Sequence, residues 1–86
     1  MWCVYILECA DKSLYTGITN DLNRRMKEHF KKTLHYTGYN SPKKILFKEL
    51  FLTKAEAAKR EKQIKGWTRR KKLALIKGDL VLLKKL

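Results

Sequence analysis

The chain has 86 residues, 44% of them hydrophobic, and its 21 lysines and arginines against 8 aspartates and glutamates give a net charge of +13. This length predicts one domain over residues 1–86, with a core at about residues 2–80 and a short tail. The apolar runs are too short for a membrane span. The lack of a signal sequence favours the cytoplasm. A small domain this basic usually meets a polyanion, so we expect nucleic acid first, an acidic membrane second, and a basic protein without such a partner third.

The first two predicted elements form a hairpin. Residues 2–9 are rich in β-branched and aromatic residues, and a short turn separates them from a second strand at residues 14–18. A loop this short favours an antiparallel connection, which brings Tyr5 and Tyr15 to one side of the sheet. Gly17 shares the face of Tyr15, and a glycine in a strand often marks close approach by another group. Taken singly, each of these residues also fits a purely structural role.

Two cysteines lie on the first predicted strand. Cys3 and Cys9 are six residues apart, which is about 20 Å in an extended strand and too far for a disulfide. Together with the two histidines they match no common zinc-binding spacing. Both are therefore predicted to be free thiols.

The first predicted helix follows the hairpin, beginning near Asp21 with Asn20 as its N-cap. Residues of a helix rotate by about 100° each, which places Arg25 and His29 directly beside an apolar stripe. The stripe consists of Leu22, Met26 and Phe30. Residues four apart share a helix face, so the arginine and the histidine can reach one common point.

The segment from residue 31 to residue 44 is predicted to be the one long loop, since it holds the only proline, Pro42. It mixes basic and aromatic side chains, a combination that suits phosphates and unstacked bases. The candidates for nucleic-acid contact are Lys31, Lys32, Tyr36, Lys43 and Lys44. A solvated loop with packing tyrosines explains the same pattern.

A third strand at residues 45–52 leads into a second helix, for which Thr53 and Glu56 form a capping box. Capping explains Glu56, but Glu61 falls within the apolar stripe of this helix. A carboxylate there is costly unless a cation meets it. The cation could be Arg25, which would give a structural ion pair, or a bound metal.

The last predicted helix runs over residues 69–77, with Thr68 as its N-cap and Gly78 as its C-cap. Its basic start, which includes Arg69 and Arg70, suits either a solvated helix end or phosphate contacts. The elements together predict an α+β fold, in which a small three-stranded sheet is flanked by helices in the order ββαβαα. The sequence does not indicate an oligomeric state.

The ordered set of motifs resembles the GIY-YIG nuclease domain over nearly the whole chain. The resemblance rests on Val4-Tyr5-Ile6, Tyr15-Thr16-Gly17, Arg25 with His29, and Glu61. It is closest to the small stand-alone bacterial members, which are related to the nuclease module of the excision-repair incision protein. It implies the same sheet flanked by helices, and hydrolysis of nucleic acid, with DNA expected.

The resemblance also implies roles for these side chains. Tyr5 and Tyr15 would flank the attacking water, with Tyr15 taking part in its deprotonation. Arg25 would stabilise charge on the phosphate, and His29 would transfer a proton or orient the water. Glu61 would hold one divalent ion, Mg²⁺ or Mn²⁺.

Other positions would support this chemistry. Gly17 would leave room for the backbone close to the site, and Lys65, Arg69 and Arg70 would add contacts to nucleic acid. The main alternative is a non-catalytic nucleic-acid-binding module on the same scaffold, with salt-sensitive binding that a chelator does not change. A third possibility is a module that offers its basic surface to a partner protein.

Overall fold

The computed structural model describes residues 1–35 and 42–85, and the side chains of residues 1–28 and 44–85. Its sheet has three antiparallel strands in the order β2-β1-β3. The strands are β1 (Trp2–Cys9), β2 (Leu14–Thr19) and β3 (Pro42–Phe51). The described helices are α1 (Leu22–His35), α2 (Lys54–Lys65), α3 (Arg69–Lys77) and α4 (Leu80–Lys85). This confirms the predicted α+β class and the order ββαβαα, and adds α4.

Strand β1 is the centre of the fold because it pairs with both other strands. In the register of the predicted hairpin, Tyr5 lies opposite Gly17 and Leu7 lies opposite Tyr15. The side chains of residues 4–6 are completely buried, as expected for a strand covered on both faces.

The two faces of the sheet bury different apolar clusters. On one face, Val4 and Ile6 pack with Ala57 and Ile64 of α2, and side chains of α3 lie against this cluster. On the other face, Cys3, Tyr5 and Leu7 form a cluster. Leu22 and Met26 of α1 cover that second cluster. Tyr5 is therefore a core residue that faces α1.

The start of α1 differs from the prediction by one residue. The Oδ1 atom of Asp21 accepts a hydrogen bond from the backbone N–H of Arg24 at 3.1 Å, so Asp21 is the N-cap. Asn20, the predicted cap, instead accepts a hydrogen bond from the Arg24 guanidinium at 3.3 Å. Both residue types cap helices well, and here the chain reaches helical geometry one residue later.

The predicted loop was too long at both ends. Helix α1 continues to His35, and β3 begins at Pro42, so Lys31 and Lys32 belong to the helix while Lys43 and Lys44 belong to the strand. Proline lacks an N–H donor and is tolerated as the first residue of a strand. Tyr36 lies outside the described residues, as does the rest of the segment 36–41.

The caps of the later helices were predicted correctly. Thr53 accepts a hydrogen bond from the backbone N–H of Glu56 at 3.3 Å, and Thr68 accepts one from Lys71 at 3.2 Å. Gly78 ends α3 in the left-handed region with φ of 72°, which glycine adopts most readily. These short-range signals fixed the ends of α2 and α3 to within one residue.

Residues 80–85, which belong to the predicted tail, form α4. Asp79 starts this helix by accepting a hydrogen bond from the backbone N–H of Leu82 at 3.0 Å. Leu80, the first residue of this helix, is 64% exposed. No described helix is long and apolar enough to cross a membrane. Cys3 and Cys9 are buried free thiols, as predicted.

Candidate active site

Gly17 allows the phenol of Tyr5 to lie directly across strand β2. A Cβ atom at position 17 would be 2.6 Å from the Tyr5 Oη and 2.7 Å from its Cζ. The same atom would be 3.0 Å from a ring carbon of Tyr15. Because real Cβ atoms do not approach other atoms this closely, a glycine is required for both tyrosines to keep their positions.

Arg25 meets Tyr5 from helix α1. Its Nε donates a hydrogen bond to the Tyr5 Oη at 3.3 Å, and its Nη1 donates one to Glu28 at 3.2 Å. Two of its nitrogen atoms are therefore engaged, which fixes the plane of the guanidinium. The side chain keeps 37% of its surface exposed. The guanidinium therefore reaches solvent while its Nε is held by the buried Tyr5.

Tyr15 lies on the outer side of this pair. The ring centroids of Tyr5 and Tyr15 are 6.3 Å apart with a 40° interplanar angle, within the usual range for interacting aromatic rings. Tyr5 is completely buried, whereas Tyr15 is 39% exposed. The two phenols thus occupy one face of the sheet but differ in access to solvent.

The pKa shifts in this group follow from the contacts. The hydrogen bond with Tyr5 is the main reason that the pKa of Arg25 is raised, and bonds with Tyr15 and Glu28 add to it. The guanidinium is therefore a permanent cation. Burial raises the pKa of Tyr5 above its ordinary value, and the hydrogen bond from Arg25 offsets this only in part.

Glu61 belongs to the same neighbourhood, since its negative charge contributes to the raised pKa of Tyr5. Its side chain is 21% exposed, and Oε2 lies 3.6 Å from the Nζ of Lys65, four residues later on α2. The ion pair that the structure gives to Glu61 is with Lys65, whereas Arg25, one of the two partners left open by the sequence, pairs with Glu28. The carboxylate keeps some access to solvent.

The structure thus brings four of the predicted residues together. Tyr5 accepts a hydrogen bond from Arg25 and lies against Gly17, and the ring of Tyr15 lies beside that of Tyr5. Glu61 acts on this group electrostatically from α2. His29 lies on α1, but its side chain is outside the described part of the chain, as are those of Lys31, Lys32 and Lys43.

The predicted nucleic-acid contacts that are described lie on several elements. Lys44 is exposed on β3, Lys65 ends α2, and Arg69 and Arg70 are exposed at the start of α3. The guanidinium of Arg69 donates a hydrogen bond to the backbone carbonyl of Lys12, in the β1–β2 turn. That bond ties the basic start of α3 to the end of the sheet.

Sequence reasoning missed Glu28 altogether, and it named Lys65 only as a contact to nucleic acid, without its pairing with Glu61. Glu28 anchors Arg25 and Lys65 pairs with Glu61, at spacings of three and four residues along a helix. Such spacings are the usual signature of helical ion pairs. Both ion pairs could have been predicted by looking for an opposite charge three or four residues away before choosing a partner on another element.

The raised pKa of Tyr5 predicts a specific loss of stability at high pH. In the unfolded chain the phenol ionises near its ordinary value of 10.0, whereas the folded protein holds the proton to higher pH. The stabilisation is complete below about pH 10 and is lost as the pH rises through the folded pKa. Urea unfolding should show the free energy of unfolding falling more steeply above about pH 10 in the natural protein than in Tyr5→Phe. Equal slopes would contradict this account.

Comparison with known proteins gives a family match over most of the chain. The family model of the GIY-YIG catalytic domain matches residues 1–74. The chain is 47% identical over 75 residues to UPF0213 proteins of Staphylococcus aureus strains Mu3 and MW2, covering 86% of this chain and 92% of each relative. It is also similar to the solution NMR structure of the UPF0213 protein BH0048 from Bacillus halodurans, with a TM-score of 0.59 and 42% identity. That likeness covers 90% of this chain and 84% of the other.

Proposed function

The chain belongs to the GIY-YIG family, and we therefore propose that it hydrolyses phosphodiester bonds in nucleic acid, with DNA as its substrate. The family points to nuclease-type chemistry. The observation that carries the proposal for this chain is the meeting of Tyr5, Tyr15 and Arg25 on one sheet face, with Glu61 near enough to act on Tyr5. Phosphodiester hydrolysis needs a proton acceptor and a group that stabilises developing negative charge.

Arg25 is the proposed stabiliser of charge on the phosphate. It is held in place before substrate arrives, because Tyr5 and Glu28 each accept a hydrogen bond from it. A guanidinium that needs no rearrangement gives a large electrostatic effect on a transition state. Its exposed part offers a planar set of donors that suits phosphate oxygens.

The two tyrosines take different proposed roles. Tyr15 has the solvent access that a group receiving a proton from water requires. Tyr5 is buried, and its raised pKa keeps it protonated at neutral pH. We assign Tyr15 to the deprotonation of the attacking water and Tyr5 to the positioning of Arg25. Both tyrosines would flank that water.

Glu61 fits the divalent ion that the family implies. Mg²⁺ keeps several water ligands and is commonly bound by one or two carboxylates together with phosphate oxygens. Glu61 offers a carboxylate of this kind, with 21% of its side chain exposed. When bound, Mg²⁺ or Mn²⁺ would polarise the phosphate and steady the leaving oxygen. Lys65 would have to give up its contact with Glu61.

His29 and the basic residues complete the proposal. His29 lies four residues after Arg25 on α1, and we assign it the transfer of a proton or the orientation of the water. The proposed contacts to the nucleic-acid backbone are Lys31, Lys32, Tyr36, Lys43, Lys44, Lys65, Arg69 and Arg70. The net charge of +13 supports this assignment because phosphate contacts provide most of the affinity for nucleic acid.

The experiment that tests the function is a panel of labelled duplex, single-stranded, hairpin and branched DNA substrates, with RNA counterparts. Each is incubated with the protein in Mg²⁺, in Mn²⁺ or in a chelator. We expect cleavage of at least one substrate with metal and none with the chelator. Glu61→Gln should slow cleavage strongly, whereas Glu56→Gln, on the same helix but engaged with Thr53, should retain it.

The alternative function makes the opposite prediction in the same assay. A non-catalytic module would bind the panel in a salt-sensitive way, with no cleavage in either metal. Its binding would also be insensitive to the chelator and to Glu61→Gln. That set of results would overturn the proposed hydrolysis and leave nucleic-acid binding as the function.

A further inference from the structure

A groove of about 420 Å³ lies between the start of helix α1 and strand β3. Cys3 and Leu22 line it, and both pack in the apolar cluster that contains Tyr5. Leu22 stands three residues before Arg25 on α1. The groove therefore lies on the same face of the sheet as the Tyr5–Arg25 pair and borders the first turn of α1.

The groove is close enough to Arg25 for one strand of nucleic acid to reach both. Cys3 precedes Tyr5 by two residues on β1, which is about 7 Å in a strand. Leu22 precedes Arg25 by three residues, which is about 4.5 Å along the helix axis. Stacked nucleotides follow one another at about 3.4 Å. A strand whose phosphate contacts Arg25 would therefore place a base at the groove about two nucleotides away.

The lining of the groove combines an apolar wall with amide groups. Leu50 and Met1 are 61% and 73% exposed, and exposed apolar side chains gathered at one surface are typical of interaction sites. The side chains of Asn20 and Asn23, at the start of α1, are exposed at the same groove. An amide both donates and accepts hydrogen bonds, as the edges of nucleobases do. This lining suits a flat ring that has apolar faces and polar edges.

Charge distinguishes among the occupants that such a groove could take. The exposed Lys48 lines it, while the acidic Asp21, which also lines it, is engaged as the N-cap of α1. A second copy of the chain would bring another net charge of +13 to the first, and like charges of this size repel each other. A nucleotide instead carries a phosphate beside its base, and Lys48 can contact that phosphate.

We propose that this groove holds an unpaired nucleobase of the substrate, about two nucleotides from the phosphate bound by Arg25. The inference rests on the proposed function, because it takes nucleic acid as the ligand and Arg25 as the group that contacts the phosphate being cut. A base inside a continuous duplex is stacked and paired, so it cannot enter the groove without leaving the helix. The favoured substrates therefore carry unpaired nucleotides next to the bond that is cut, as single strands, flaps and bubbles do.

The test compares two labelled single strands of equal length by fluorescence anisotropy in the presence of a chelator. One is a thymidine oligonucleotide, and the other is an abasic oligonucleotide with the same phosphates and no bases. The test variants are Leu50→Ser and Asn23→Ala. The matched control is Leu52→Ser, because Leu52 is 76% exposed but lies beyond the end of β3 and outside the described lining of the groove.

We expect Leu50→Ser to weaken binding of the thymidine oligonucleotide by about fivefold, the low end of the range for a base held by a side chain. Binding of the abasic oligonucleotide should not change. The slope of log affinity against log salt should also stay the same, because no charge is lost. Asn23→Ala should behave like Leu50→Ser, and Leu52→Ser like the natural protein.

Three results would overturn the proposal. The first is an equal loss of affinity for both oligonucleotides in Leu50→Ser, which would mean that the leucine does not act through a base. The second is unchanged affinity of both test variants for the thymidine oligonucleotide. The third is a change of oligomeric state in Leu50→Ser, measured by sedimentation, with unchanged binding of the oligonucleotides, which would assign the groove to a second copy of the chain.

Because binding is measured in a chelator, the outcome does not depend on cleavage. If binding depends on the bases through Leu50 but no substrate is cut in any metal, the proposed hydrolysis is wrong and the base site stands. If a substrate is cut while Leu50→Ser shows no base-dependent loss, only the base site is wrong. In a substrate that is cut, one abasic residue about two nucleotides from the cut bond should slow cleavage. The absence of a sensitive position there would overturn the placement beside Arg25.

Discussion

Replacement of Arg25 by alanine is expected to lower the rate of cleavage by about 10²- to 10³-fold, the usual loss when one preorganised charge-stabilising donor is removed from an active site. The guanidinium is oriented by Tyr5 and Glu28, and its contribution should appear in kcat. Affinity for DNA should fall only modestly, because many of the 21 basic residues remain to contact the backbone. Single-turnover cleavage and anisotropy measure the two effects separately.

Arg24→Ala is the matched control for that prediction. Arg24 precedes Arg25 on the same helix, carries the same charge and is 64% exposed, so its loss should change binding slightly and cleavage little. Arg25→Lys should recover little activity, since a lysine lacks the planar fork that Tyr5 and Glu28 hold. Equal losses of cleavage for Arg24→Ala and Arg25→Ala would mean that Arg25 contributes charge alone.

Gly17→Ala is expected to be the most damaging of the conservative substitutions. The added Cβ would meet the Tyr5 Oη at 2.6 Å and the Tyr15 ring at 3.0 Å, and Tyr5 has no space to retreat because it is completely buried. Forced overpacking of this kind costs about 1–3 kcal/mol of stability.

The same substitution should also affect activity. Because both tyrosines must shift, cleavage should be lost even in the protein that remains folded. Urea unfolding and cleavage of folded protein test the two parts.

Gly66→Ala provides the control, since a Cβ there would lie no nearer than 3.5 Å to any atom. It should leave stability and cleavage nearly unchanged. Adding Tyr5→Phe to Gly17→Ala should recover only part of the stability, because the Cζ atom still lies 2.7 Å away. A Gly17→Ala protein with natural stability and activity would show that the tyrosines do not need this glycine.

Much of the fold was predictable because its signals are local. The Thr53 and Thr68 caps and the Gly78 terminator define helix ends through bonds between residues at most a few positions apart. The hairpin register follows from its short turn. The end of α1, by contrast, carries no such terminator before Tyr36, and the start of β3 at Pro42 contradicted the usual association of proline with loops. Helix α4 is only six residues long, so its periodicity was too short to read.

The sequence was enough to predict which residues lie near one another in the site, but not which hydrogen bonds and ion pairs they form. Alternation along β2 and rotation along α1 place Tyr15, Gly17 and Arg25 on facing surfaces. Periodicity gives the direction of a side chain but not the partner it meets. A long-range pair of Arg25 with Glu61 was therefore as reasonable as the observed local pairs. Likewise, nothing in the sequence indicates that Tyr5 is buried deeply enough for its pKa to rise.

The central claim is that Arg25 and Glu61 serve one reaction centre, and its most direct test is a double-mutant cycle on cleavage with Arg25→Ala and Glu61→Gln. Residues that act as one catalytic unit show strongly non-additive effects. The double variant should therefore be about as slow as the slower of the two single variants. Two independent losses that multiply in the double variant, or single variants that cleave at the natural rate, would contradict the claim that these side chains serve one reaction centre.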